Sequence, residues 1–176
     1  ERRKKIAEQE WNAKDPETGK SREDIQEERI IGEEADLGMY ESARDLGLAS
    51  ERRVEEAQLA VIQAKIDKEQ EYIKFIHARM QAEIDAAYLQ KVNADMYYEA
   101  MLKMGLADDD AKEKMMAADQ AYRSLLAQRD QITLESNERI RGYEQEAEEV
   151  NKQTTQRKME TLKGYTDAVV TFGEQM

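Results

Sequence analysis

From residue 51 to residue 104 apolar side chains recur every seven residues, at Leu59, Ile66, Ile73, Met80, Ala87, Ala94 and Met101, and neither Gly nor Pro interrupts them. Such a row lies along one side of a helix packed on a neighbour. A second row begins with Ile62 and Ile76 and ends with Tyr97 and Met104, but Glu69, Glu83 and Gln90 break it. Ile84, Tyr88 and Val92 then form a drifting stripe. A regular two-stranded zipper keeps both rows apolar. This helix is therefore expected to meet one or two partners through changing contacts.

The same spacing continues after residue 109. Met115, Tyr122, Leu125 and Ile132 stay in register, and the stripe shifts to Ile140, Tyr143, Ala147 and Val150. Residues 151–160 are nearly all polar, which reads as an exposed or weakly packed stretch. Apolar spacing resumes at Leu162, Tyr165, Val169 and Phe172. Opposite charges four residues apart, among them Asp110/Lys114, Asp119/Arg123 and Glu148/Lys152, favour the helix by a few tenths of a kcal/mol each, about 0.2–0.5.

Breakers and caps divide the rest. Residues 1–14 read as a short charged helix that stops at Asp15-Pro16-Glu17-Thr18-Gly19-Lys20, where Pro and Gly favour a turn. Ser21 suits the cap of a second helix, with Ile25, Gly32, Ala35, Met39, Ala43 and Leu46 near its expected inner face. Gly47-Leu48-Ala49-Ser50 and Gly105-Leu106-Ala107-Asp108 are corners of matching chemistry. In each, Gly ends a helix, Leu can pack back on the last turn, and Ser or Asp caps the next. The expected fold is all-α, an elongated antiparallel helical hairpin or coiled-coil-like bundle of long helices. Its divisions are a short charged helix and turn over 1–20 and a long-helix hairpin over 21–176, with helices at about 21–47, 51–104 and 109–172.

Composition changes the picture by raising disorder as a competitor. Leu, Ile, Val and Phe number only 30 of 176 residues, and the net charge is −12. Against that, 86 residues are Ala, Glu, Lys, Leu or Arg, all of which lose little freedom in a helix. A narrow helix–helix seam needs less apolar surface than a globular core, so the helical reading prevails. The acidic balance argues against nucleic acid, whose phosphates need a basic stripe. No apolar run reaches the length of a membrane span, so neither a span nor a signal segment is expected. The absence of Cys removes thiolate chemistry and suits a reducing compartment, cytoplasmic or virion-associated. Because residue 1 is Glu, the chain reads as a fragment or processed product.

Candidate chemistry is sparse. Gly19-Lys20-Ser21 resembles the end of a phosphate-binding loop, but position 14 holds Lys14 where that loop needs Gly. Asp15, Glu17 and Gly19 only loosely resemble a calcium loop, since Lys20 and Gln26 stand at its Gly and Glu positions. Asp108, Asp109 and Asp110 suit a helix start through the dipole alone. His77, the single histidine, has no second His or Cys to act with, and is expected to be partly exposed or interfacial. We therefore expect a non-enzyme with no catalytic, cofactor-binding or metal site. Met96, Tyr97, Tyr98, Met101, Leu102 and Met104 crowd one helix end, and Met115, Met116 and Tyr122 begin the next. Core packing is the favoured explanation, and a partner-binding tip the alternative.

The capped corner GLADDDAKEKMMAA (105–118), the charged ERRVEEAQLA (51–60) and the ending QRKMETLKGYTDAVVTFGEQM (156–176) give the chain a texture that resembles helical portions of phage or prophage tail tape-measure proteins. The resemblance implies a structural role in setting tail length and organising tail assembly, with self-association and contacts to tail or scaffold proteins. A cellular coiled-coil adaptor or spacer is the competing expectation. A membrane-surface module ranks last, because Arg2-Arg3-Lys4-Lys5 and Arg52-Arg53 are short basic clusters set among acids.

Overall fold

The computed structural model describes the backbone of residues 2–174 and the side chains of residues 5, 6 and 8–166. Four helices and no strand are present among them: α1 (Arg2–Trp11), α2 (Arg22–Asp45), α3 (Glu51–Lys103) and α4 (Asp109–Glu174). The fold is an all-α helical hairpin bundle in which α3 and α4 pack on each other. At 1.5 Å per residue, α3 is about 80 Å long and α4 about 100 Å.

Both corners close in the same way. Gly47 N–H donates to Arg44 O at 2.8 Å and Leu48 N–H to Ala43 O at 2.7 Å. Gly105 N–H donates to Leu102 O at 3.0 Å and Leu106 N–H to Met101 O at 2.9 Å. This double closure satisfies two carbonyls at a helix end and requires a residue at positive φ. Gly47 and Gly105 supply it, at φ 73° and 68°. Asp108 caps α4 by accepting from Ala111 N–H at 2.8 Å. The expected return of the corner leucines does not occur. Leu48 is 78% exposed and Leu106 59%. The backbone bonds close the corner without them, and at the first corner the facing residue is only Ala43.

These glycines allow a test by sign. Nothing lies within 4 Å of a Cβ built on Gly105 or on Gly38, but only Gly105 has positive φ. Gly105→Ala should therefore cost on the order of 1 kcal/mol, whereas Gly38→Ala, inside α2, should stabilise by about as much. Thermal melts of the two variants check this; shifts of the same sign would contradict it.

Two compact units divide the chain: Glu1–Arg22 with Glu69–Glu138, and Glu23–Lys68 with Arg139–Met176. In the first, Ile76, Met80, Ile84 and Ala87 of α3 meet Leu125 and Ile132 of α4, with Tyr72, Phe75, Tyr122 and Leu126 packed around them. Trp11 of α1 is 4% exposed and lies edge-on to Tyr72, with centroids 5.3 Å apart, and 5.4 Å from Phe75. The Arg22 guanidinium stands over the Phe75 ring, 5.1 Å from its centroid. Glu69, expected to interrupt a row, is buried there and engaged in polar interactions.

In the second unit α2 and the ends of α3 and α4 come together. Here the expected inner face of α2 is corrected. Ile25, Gly32, Ala35, Met39 and Leu46 are exposed, while Ile30 is buried and Leu37, Tyr40 and Arg44 are half-buried. The inner face is selected by charge as well as by apolar content. Lys68 bonds Glu23 at 2.6 Å and Glu27 at 2.5 Å, Arg29 bonds Asp67 at 2.9 Å, and Lys65 reaches Glu34 at 3.6 Å. Burial opposes the charge on Lys68, yet the bonds from Glu23 and Glu27 outweigh it and hold its pKa above the ordinary lysine value.

Inward positions along α4 step alternately by four and three, from Ala111 through Met115, Ala118, Tyr122, Leu125, Arg129 and Ile132. Two successive steps of four, to Ser136 and then Ile140, break that alternation, after which Tyr143, Ala147 and Val150 resume it. An extra step of four shifts a seam around its helix. The shift visible in sequence thus falls where the first unit ends, at Glu138. Residues 151–160 are exposed except Thr154, which is half-buried. Arg157 and Lys158 nonetheless reach Glu51 and Glu55, at 3.4 and 3.6 Å. Val169 and Phe172 lie outside the described side chains.

Candidate functional site

The turn ahead of α2 uses its polar groups on itself. Asp15 Oδ1 accepts from Glu17 N–H at 2.8 Å and Thr18 N–H at 2.9 Å, while Gly19 N–H donates to Asp15 O at 2.8 Å. Gly19 takes φ 67°, as a tight return requires. The bonds from Thr18 and Glu17 lower the Asp15 pKa from its ordinary 3.8. A carboxylate whose folded pKa is depressed supports the fold fully above its ordinary value and loses that support as the pH falls through the lower one. An acid titration followed by NMR should therefore move the Thr18 amide signal below the ordinary carboxylate range, and Asp15→Ala should abolish the movement. An unmoved signal in the unsubstituted chain would contradict this closure.

His77 is exposed and its Nε2 lies 3.0 Å from Thr133 Oγ1. The same hydroxyl lies 2.8 Å from Arg129 O, to which it donates. The histidine thus ties α3 to α4. Among the described residues, no group of three or more His, Cys, Asp and Glu is placed to hold a metal ion. No helix among them is long and apolar enough to cross a membrane.

Apolar exposure in the first unit is the feature that stands out. The expected core at the hairpin tip is corrected in part: Tyr98, Met101, Met115 and Tyr122 are half-buried, but Met96 is 64% exposed, and Tyr97, Leu102, Met104, Leu106 and Met116 are each more than half exposed. One side of α3 is occupied by α4, as Tyr88 against Tyr122 at 5.6 Å shows, and among the described side chains of α1 Trp11 and Glu10 meet Tyr72, Phe75 and Arg79. Ile84, at the start of the drifting stripe, is buried, whereas Tyr88 is exposed.

Beside the tip an open groove is lined by Asp95, Met115, Met116, Asp119, Gln120 and Arg123. Its charges are matched internally. Lys91 reaches Asp95 at 3.2 Å and Asp119 at 3.6 Å, and Arg123 reaches Asp119 at 2.6 Å. Hydrogen bonding and charge from Asp95 raise the Lys91 pKa. The groove therefore offers flexible methionine surface without an unmatched charge, an arrangement suited to protein contacts.

In the second unit the outer face of α2, with Ile25, Ile31 and Met39, is uncovered, as are Met159, Leu162 and Tyr165 of α4. Comparison of the chain with protein-family models, curated proteins and solved structures finds no match in any of the three.

Proposed function

We propose that this chain is a non-enzymatic structural and assembly protein that works by helix-to-helix association. Within that role, the reading we favour is a helical segment of a phage or prophage tail tape-measure protein, which sets tail length and organises tail assembly. The observation that carries the assembly role is the uncovered apolar surface at the hairpin tip, where Met96, Tyr97 and Met104 face outward although the chain is otherwise poor in apolar residues. Monomeric proteins seldom leave such side chains clustered on one element unless a partner covers them. The tape-measure assignment rests on the sequence texture at 51–60, 105–118 and 156–176. It places the protein in the cytoplasm during assembly and in the virion afterwards, with other tail or scaffold proteins as partners.

The exposed methionines equally suit a cellular coiled-coil adaptor, since flexible Met surfaces accommodate varied protein partners. Neighbouring genes and purified particles separate the two. The tape-measure reading expects tail genes alongside and the chain inside tailed particles by mass spectrometry. A gene surrounded by unrelated cellular genes, with no tailed particle containing the chain, would overturn that reading and leave the adaptor.

A further inference from the structure

The rows of α3 that α1 covers continue toward the tip through residues that are exposed. Trp11 and Glu10 dock on Tyr72, Phe75 and Arg79, and Glu83 holds the same Arg79 at 2.6 Å. Seven-residue steps carry Phe75 to Ala82, Leu89 and Met96. The same steps carry Arg79 to Ala86, Asn93 and Ala100, and Glu83 to Gln90, Tyr97 and Met104. Through this stretch the α4-facing row keeps the same period, with Met80 and Ala87 buried and Ala94 and Met101 half-buried. Rows at a constant offset from it therefore keep their direction too. The result is a shallow trough: Ala86, Asn93 and Ala100 form its floor, Leu89 and Met96 one wall, Tyr97 and Met104 the other. All seven are exposed.

We propose that a second copy of this chain fills the trough, its α3 lying antiparallel on the first around a two-fold axis between Ala94 and Asp95. The inference deepens the assembly reading above and rests on it. A floor of small residues lets two helices approach closely, and large wall residues then fit over small floor positions. With the axis at that point, Leu89 of one copy sits over Ala100 of the other, and Met96 over Asn93. Charge selects the direction. Asp85 and Lys103 are exposed on the Leu89–Met96 edge; among the described residues Asp85 accepts from Gln81, at 2.8 Å, and Lys103 has no ion-pair partner. Antiparallel packing sets each Asp85 beside the other copy's Lys103, at both ends of the contact. Parallel packing in register sets this edge against the other copy's Tyr97–Met104 edge and leaves Asp85 and Lys103 without each other, so it gains nothing from them.

The chain contains no Cys, so single cysteines report the geometry directly. Oxidation of the full chain carrying Asn93→Cys should give a disulfide-linked dimer. Leu89→Cys alone should not, because its two copies lie about 16 Å apart along the axis at 1.5 Å per residue. A mixture of Leu89→Cys and Ala100→Cys chains should cross-link. Lys103→Asp should weaken the dimer at least tenfold, and adding Asp85→Lys should restore it. All five positions are exposed in the single chain, so the fold is preserved, and circular dichroism checks it. If the unmodified chain sediments as a dimer but these cysteines do not pair as stated, the trough is overturned while the assembly reading stands. If the unmodified chain stays monomeric, both fall.

Discussion

Trp11→Ala should undock α1 from the first unit, with a loss of about 3–5 kcal/mol, the range for removing a large buried aromatic. Trp11 is buried between Tyr72 and Phe75, and its neighbour Glu10 pairs with Arg79, so these two anchor α1 among its described side chains. A helix of 10 residues has little stability of its own. It therefore folds because it docks, and the loss is capped at the docking free energy. Hydrogen exchange should show residues 5–11 losing protection while the α3–α4 core keeps its own. Unchanged protection over 5–11 would contradict the anchorage.

Ile76→Ala should be the most damaging change in the α3–α4 core, at about 2–5 kcal/mol. Ile76 is 0% exposed and packs with Met80, Leu125 and Ile132 in the same cluster. Truncation would leave a cavity that helices held by neighbouring layers cannot readily close. Leu102→Ala is the matched control, since Leu102 is more than half exposed and should change stability within about 0.5 kcal/mol. Urea titration of both variants checks the contrast, and equal effects would contradict the placement of the core.

The elements were legible because their signals are local. Gly47 and Gly105 with their following caps mark the corners, Pro16 and Gly19 mark the turn, and good helix formers run between them, without Gly from 51 to 104. Burial was less legible. On α2 the more apolar face is exposed and the face carrying Glu23, Glu27 and Arg29 turns inward, because the positions it meets on α3 are Lys68 and Asp67. Such pairing depends on which helices become neighbours, and one helix's periodicity does not contain it. The same gap hid the tip. Met96, Tyr97 and Met104 have the composition of a core, but a two-helix hairpin has only one shared seam, and that seam is filled from Ala87, Ala94 and Met101. The candidate surface is therefore a consequence of how the described helices share the seam at that level.

Sedimentation equilibrium of the unmodified chain across micromolar concentrations tests the assembly claim most directly. The net charge of −12 opposes association of copies, so moderate salt, which screens that repulsion, should strengthen it. The account predicts a mass at least twice the 20.4 kDa of the chain, rising with concentration and with salt. A mass of 20.4 kDa at every concentration and salt would contradict it.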